Sequence, residues 1–239
     1  MAHIPRLYLP GRLGPGPLTL DAAQSRRLAS VIRLREGDSF LAFSGDGREW
    51  RSRITALTKA SLRAEVEELT RQEAALPIVV DVWLALIRPQ RFDLAIEKCT
   101  EAGADIIRPM LTDHLARGEG ASAQRHERWE RIAIEAAEQC GRLRVPVIGP
   151  PASFADLVGR HRGALLVGDQ QGRPWPDAAA LLPEKGDVAI AIGPEGGFSP
   201  DELARATARG AIAACFGPNI LRAETAAVVA TALVRSLGR

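Results

Sequence analysis

Apolar positions follow two rhythms along this chain, one before about residue 70 and another after it. In the first stretch the runs are short and strand-like. Ser39–Ser44 and Glu49–Leu57 flank Gly45-Asp46-Gly47, where two glycines permit the backbone of a tight hairpin. Ser61–Leu69 follows, with Leu62, Ala64 and Val66 alternating against charges. Asp21 stands at the N-cap of a short helix reaching about Val31, with Leu28 and Val31 spaced to face a core. Thr70–Leu76 turns polar and small, and Pro77 closes it as a linker. The pattern predicts a small β-rich module, a small barrel, over residues 1–72.

From Ile78 strands and helices alternate. Ile78–Ile87 is almost continuously apolar, as a strand buried on both faces must be. Arg91–Ala102 reads as a helix with Phe92, Ala95, Ile96 and Cys99 on one face; Ile106–Leu111 as a strand; Ser122–Gly141 as a long helix ending in a C-cap glycine. Val145–Ile148, Ala164–Val167, Val188–Ile192 and Ile212–Phe216 are further strands. Ser153–His161, Pro200–Arg209 and Arg222–Leu237 are further helices, so residues 73–239 form an α/β domain with a mostly parallel sheet.

In such sheets ligands sit beyond the carboxyl ends of the strands. Three loops fall there: Gly168-Asp169-Gln170, Gly193-Pro194-Glu195-Gly196-Gly197, and Gly217-Pro218-Asn219-Ile220-Leu221. None has the Lys-Ser/Thr pair of a P-loop or a G-x-G-x-x-G fingerprint. Glycine admits close approach of backbone to a ligand, so the loops suit an adenosine without phosphates, gripped by main-chain groups and apolar contact. Ser199-Pro200-Asp201-Glu202 supplies a complete helix start.

Composition adds limits. Hydrophobic residues make up 46% and charged residues 25% of 239, as in a soluble globular protein, and no apolar run approaches membrane length. The N-terminus lacks the apolar core of a signal peptide, which points to the cytoplasm. Cys99, Cys140 and Cys215 are far apart and outside any metal-ligand spacing, so no metal is expected. The first 35 residues hold six arginines and one acid, Asp21. Guanidinium groups bind phosphate in a bidentate fork, so Arg6, Arg12, Arg26, Arg27 and Arg33 suit a phosphate-facing patch, which the family resemblance below would make a contact to an RNA backbone, against the alternative of a merely solvated face.

IGPEGGFSPDE and FGPNILRAETAAVVA, with RWERIAIEAAEQCGRLRVP and LAIEKCTEAGADIIRP, strongly resemble the RsmE family of 16S ribosomal RNA uridine-N3 methyltransferases, of the SPOUT class. The resemblance spans the chain and implies S-adenosylmethionine as cofactor, a deep trefoil knot in the C-terminal part, a PUA-like RNA-binding module over 1–72, and a homodimer acting on the decoding region of the small ribosomal subunit. Carried onto this chain, it places Leu166, Val167 and Gly168 on one side of the cofactor. Gly193, Glu195 and Gly196 form a second wall, and Phe216, Gly217, Asn219, Ile220 and Leu221 hold the adenine and ribose. The family usually carries Leu at Phe216, Arg at Asn219, Thr at Ala223 and Lys at Arg88.

Methylation at uridine N3 requires loss of a proton flanked by two carbonyls, so a cation beside O2 or O4 would favour the anion. Arg222 follows the last cofactor loop directly and is the candidate for that role. Arg142 and Glu138, four apart on one helix face, are further catalytic candidates or an ordinary ion pair. Glu195 is expected to brace its loop by accepting backbone N–H groups, with a role as base the alternative, and His114 to be structural. Other readings are a knotted methyltransferase for tRNA or a ribose 2′-hydroxyl, and a non-catalytic ribosome-assembly protein.

Overall fold

The computed structural model describes residues 4–58, 61–114 and 123–238, without the Val31 side chain. The chain divides into two compact units, residues 1–75 with 137–144, and residues 76–136 with 145–239.

The first unit is built on five strands, β1 (Arg6–Tyr8), β2 (Gly16–Leu20), β3 (Ser39–Phe43), β4 (Arg48–Leu57) and β5 (Leu62–Gln72), ordered β1-β3-β4-β5-β2. β1 runs parallel to β3, and the other pairs are antiparallel. The β3–β4 hairpin turns where the sequence places it, with Gly45 at φ 85° and Gly47 at φ 86°. Asp21 caps α1 (Ala22–Arg26) by accepting the Gln24 N–H at 2.8 Å, and a π-helical turn continues it over Arg27–Val31. Leu7, Leu20, Leu28, Phe40, Ile54 and Leu62 fill the core.

Two features depart from the pattern reading. β1 and β2 are only three and five residues long, so neither shows an alternation to detect. Pro17, a strand breaker in a sheet interior, is tolerated because β2 lies at the sheet edge. The expected linker also begins late. Arg48 and Glu49 pair with Gln72 and Arg71, and the Thr70 hydroxyl donates to the Glu49 carbonyl at 3.1 Å, which extends β5 to Gln72.

The second unit is a parallel sheet flanked by helices. Its strands are β6 (Ile78–Ala85), β7 (Ile106–Leu111), β8 (Val147–Ile148), β9 (Ala152–Ser153), β10 (Ala164–Pro174), β11 (Gly186–Ile192) and β12 (Ile212–Cys215), ordered β12-β10-β11-β6-β7-β8 with β9 beside β7. Its helices are α2 (Pro89–Ala102), α3 (Ala123–Cys140, whose last residues belong to the first unit), α4 (Phe154–Arg160), α5 (Trp175–Ala179), α6 (Pro200–Ala208) and α7 (Ala223–Leu237). Ser122, expected to open α3, lies outside the described residues.

Over Ile78–Ala85 and Val188–Ile192 the central strands are apolar, Asp81 apart, because each feeds two cores in alternation. Val80, Val82 and Leu84 of β6, with Val188, Ile190 and Ile192 of β11, pack with α2 and α7. Trp83, Ala85, Ala189 and Ala191 pack with α4 and α6 through Phe154, Leu157 and Ala206. Cys99 lies in the first of these cores, where burial pushes its thiol up to about 12. It is therefore no thiolate nucleophile at neutral pH.

Candidate functional site

β10 pairs in parallel with both β11 and β12, so the chain leaves all three strands at the same edge of the sheet. There the three loops enclose a cavity of about 530 Å³, the size of small-molecule sites.

One wall comes from a fault in the β10–β12 ladder. Gly168 pairs with Ala214, and so does Arg173, so residues 169–172 are extruded from the pairing. Gly168, Asp169 and Gln170 thereby face the cavity, and Asp169 accepts the Gln171 N–H at 2.9 Å. Gly172 sits at the return, where an added Cβ would lie 2.6 Å from the Ala213 carbonyl carbon. Only glycine lets the strand rejoin so closely.

The second wall is the glycine loop. The Gly197 N–H donates to the Pro194 carbonyl at 2.9 Å, and Gly197 has φ 69°, a left-handed turn position. A Cβ on Gly193 would stand 3.1 Å from the Phe198 ring, itself stacked on Phe154 at 4.7 Å between centroids. Behind the loop, Ser199 caps α6 in a reciprocal box with Glu202 and donates its hydroxyl to Asp113 at 2.5 Å. His114 Nδ1 lies 3.1 Å and 3.2 Å from the Gly196 and Gly197 carbonyls, so this nitrogen carries the proton and braces the loop.

The third wall runs from Cys215 and Phe216 through Asn219, Ile220, Leu221 and Arg222 into Ala223 and Ala226 of α7. Arg222 is the α7 N-cap residue in extended conformation (φ −66°, ψ 153°), which lets its side chain leave the helix axis. Ile220 is 86% exposed, an unusual position for a large apolar residue and one that suits contact with a ligand.

Of the cofactor residues expected from sequence, Gly168, Gly193, Glu195, Phe216, Asn219, Ile220 and Leu221 line the cavity. Leu166 and Val167 lie one step inside the sheet, with side chains buried in opposite cores, and the wall is made by residues 168–170 instead. Gly196 turns toward His114, whose Cβ would be 3.5 Å from an added Gly196 Cβ, and neither Gly196 nor Gly217 lines the cavity. Glu195 is held differently from expectation. Its carboxylate accepts from Arg91 Nη1 of α2 at 2.6 Å rather than from backbone N–H groups. Asp169 and Gln170 line the cavity as members of the first candidate loop, while Phe198, Leu203 and Ala226 join the site without having been singled out.

Glu138 and Arg142 belong to the first unit. Glu138 is buried, accepts the Tyr8 N–H at 2.8 Å, and takes Arg27 in a bidentate pair at 3.1 and 2.5 Å. That is the geometry of a structural tie, and it stands in place of the Glu138–Arg142 ion pair that was one of the two readings of these residues. Arg6 likewise donates to buried Glu49 at 2.8 Å. Arg12, Arg26 and Arg33 are exposed, and no side-chain hydrogen bond or ion pair holds them among the described residues.

Residues 74–235 match the RNA methyltransferase domain family, and residues 20–67 match the RNA methyltransferase PUA domain family. The ribosomal RNA small subunit methyltransferase E of Synechocystis sp. is 34% identical over 95% of this chain and 76% of its own. A methyltransferase of Legionella pneumophila, solved with the cofactor SAM bound, superposes with a TM-score of 0.88 at 27% identity over 98% of both chains. The ribosomal RNA small subunit methyltransferase E of Neisseria gonorrhoeae bound to S-adenosyl methionine gives 0.87 at 28% identity, again over 98% of both.

Proposed function

The chain belongs to the ribosomal RNA small subunit methyltransferase E family, and on that premise we propose that it methylates N3 of a specific uridine in 16S ribosomal RNA, with S-adenosylmethionine as methyl donor. One observation supports this above the others: a glycine-walled cavity beyond the carboxyl ends of β10, β11 and β12, with Arg222 on its rim. The cavity fits the cofactor by its chemistry. Phe216, Ile192, Leu221 and Ala223 offer apolar contact, exposed loop backbone offers donors and acceptors to an adenine edge, and Asp169 and Glu195 offer negative charge to a cationic ligand. Among the described residues no lysine, which a polyphosphate ligand would favour, lines it.

The cofactor supplies a methyl group made electrophilic by its sulfonium. The chain's own task is to bring uridine N3 in line with that methyl and to favour loss of the N3 proton. N3–CH₃ then forms as S–CH₃ breaks, and the proton leaves to solvent or a base. Arg222 stabilises the charge that spreads onto O2 and O4. The N3 edge is the pairing edge, so the target base must be unpaired or flipped out when it reacts.

In the same reading residues 1–72 serve as a PUA-like RNA-binding domain and residues 73–239 as the knotted catalytic domain. The enzyme works as a homodimer on the small subunit in the cytoplasm. Arg12, Arg26 and Arg33 position the RNA backbone, and Arg6 and Arg27 hold the fold. RNA affinity is expected to fall steeply with salt. Arg26→Gln with Arg33→Gln should lower the log–log slope by about 1–2, near one for each phosphate left without its arginine. Titrations from low to moderate salt check this. An unchanged slope would return these arginines to a solvated face.

A further inference from the structure

Arg91 lies in the first turn of α2, directly after β6, the neighbour of β11 in the sheet. Its guanidinium stands between two carboxylates. Nη1 donates to Glu195 Oε1 of the glycine loop at 2.6 Å, and Nε lies 3.7 Å from Glu224 Oε1 in the first turn of α7. The two acids differ in solvation: the Glu195 side chain is 69% exposed and that of Glu224 only 11%. The second Glu224 oxygen is buried without a hydrogen-bond partner among the described residues. A carboxylate so placed needs a cation beside it, and Arg91 is the cation at hand. Glu224 thus holds Arg91 in place, and Arg91 in turn holds Glu195.

This arrangement spans the site. Glu195 is in the second wall of the cavity, and Arg222, Ala223 and Ala226 on either side of Glu224 are in the third. We propose that Arg91 is a positioning residue that ties the glycine loop to the start of α7 and so sets the affinity for cofactor. The proposal rests on reading this cavity as the S-adenosylmethionine site. It assigns Arg91 no contact with the reacting atoms. His114 holds the Gly196 and Gly197 carbonyls of the same loop and Asp113 the Ser199 hydroxyl after it, while Arg91 holds the loop through the Glu195 carboxylate.

A tie and a simple charge effect have opposite signs here. Loss of Arg91 as a tie frees the loop and weakens binding. Loss of Arg91 as a mere counter-charge would leave Glu195 uncompensated and strengthen attraction to a cationic cofactor. The test compares Arg91→Ala, Arg91→Lys, Glu195→Gln and the Arg91→Ala/Glu195→Gln double variant by calorimetry with S-adenosylmethionine, and by hydrogen exchange of the cofactor-free proteins. Arg128→Gln, which removes an exposed ion pair between α3 and Asp93 of α2, is the control for charge loss beside this helix.

Arg91→Ala and Glu195→Gln are each expected to weaken binding about fivefold, near the upper end for a part-exposed pair. The double variant should be little worse than either single one, since both remove the same tie. Arg91→Lys should recover part of the loss, KM for cofactor should rise with kcat at saturation little changed, and exchange over residues 193–199 should quicken. Arg128→Gln should change none of these. Tighter binding by Arg91→Ala, additive losses, or unchanged affinity and exchange would overturn the proposal. Should the wild-type protein itself fail to bind S-adenosylmethionine, the cofactor reading falls, and exchange over 193–199 alone decides whether the tie exists.

Discussion

Replacing Arg222 with Ala is expected to slow methyl transfer about a hundredfold at saturating cofactor and RNA, the scale of removing one donor from a preorganised anion-stabilising site. The side chain is exposed on the cavity rim at the α7 N-cap and makes no side-chain capping bond. Its loss therefore should leave thermal stability and cofactor affinity almost unchanged. Arg222→Lys should recover only part of the rate, because an ammonium cannot present a planar fork to a charge shared between O2 and O4. Single-turnover rates separate this chemical step from binding and release. A fully active Arg222→Ala enzyme would remove Arg222 from the mechanism.

The largest effect on stability is expected from Arg235→Ala. Arg235 is 5% exposed near the end of α7, and all three of its guanidinium nitrogens donate hydrogen bonds. It donates to the Ile78 carbonyl at 2.7 Å and to the Gly103 carbonyl at 3.0 and 2.6 Å, and pairs with Asp105. These contacts fasten the last helix to the start of β6 and to the turn between α2 and β7, at the opposite end of the sheet from the cavity. Truncation strands the Ile78 and Gly103 carbonyls and takes the cation from Asp105, which keeps the Val80 N–H, a loss of about 3 kcal/mol. For a unit of this size that corresponds to a melting temperature lower by about 10 °C. Urea titration should show a lower midpoint with the slope preserved, and cofactor affinity of the folded protein should not change. A melting temperature within about 2 °C of wild type would contradict this assignment.

The parts of the fold legible in the sequence were those with a strong period. β6 and β11 announce themselves because burial on both faces removes every polar position over Ile78–Ala85 and Val188–Ile192 except Asp81, which pairs with Arg108 of β7 at 2.8 Å. The Gly45–Gly47 turn and the Ser199–Glu202 helix start were legible because each depends on local chemistry alone. What could not be read depended on partners distant in sequence. β1 is a strand only because β3 lies beside it, and residues 169–172 bulge only because β12 returns to Arg173 after pairing with Gly168. The ties of the site were hidden for the same reason. Arg91 is 104 residues from Glu195, and Arg27 is 111 from Glu138. No local spacing marks either pair, whereas Glu138 and Arg142 offered a tempting local one.

The most direct measurement incubates the purified protein and S-adenosylmethionine carrying a labelled methyl group with unmethylated small ribosomal subunits, then digests the 16S RNA to nucleosides for mass spectrometry. The label is expected in 3-methyluridine, at a single site, and its appearance should fall about a hundredfold with Arg222→Ala. Label in a ribose-methylated nucleoside, in tRNA offered alongside, or in no nucleoside at all would contradict the account.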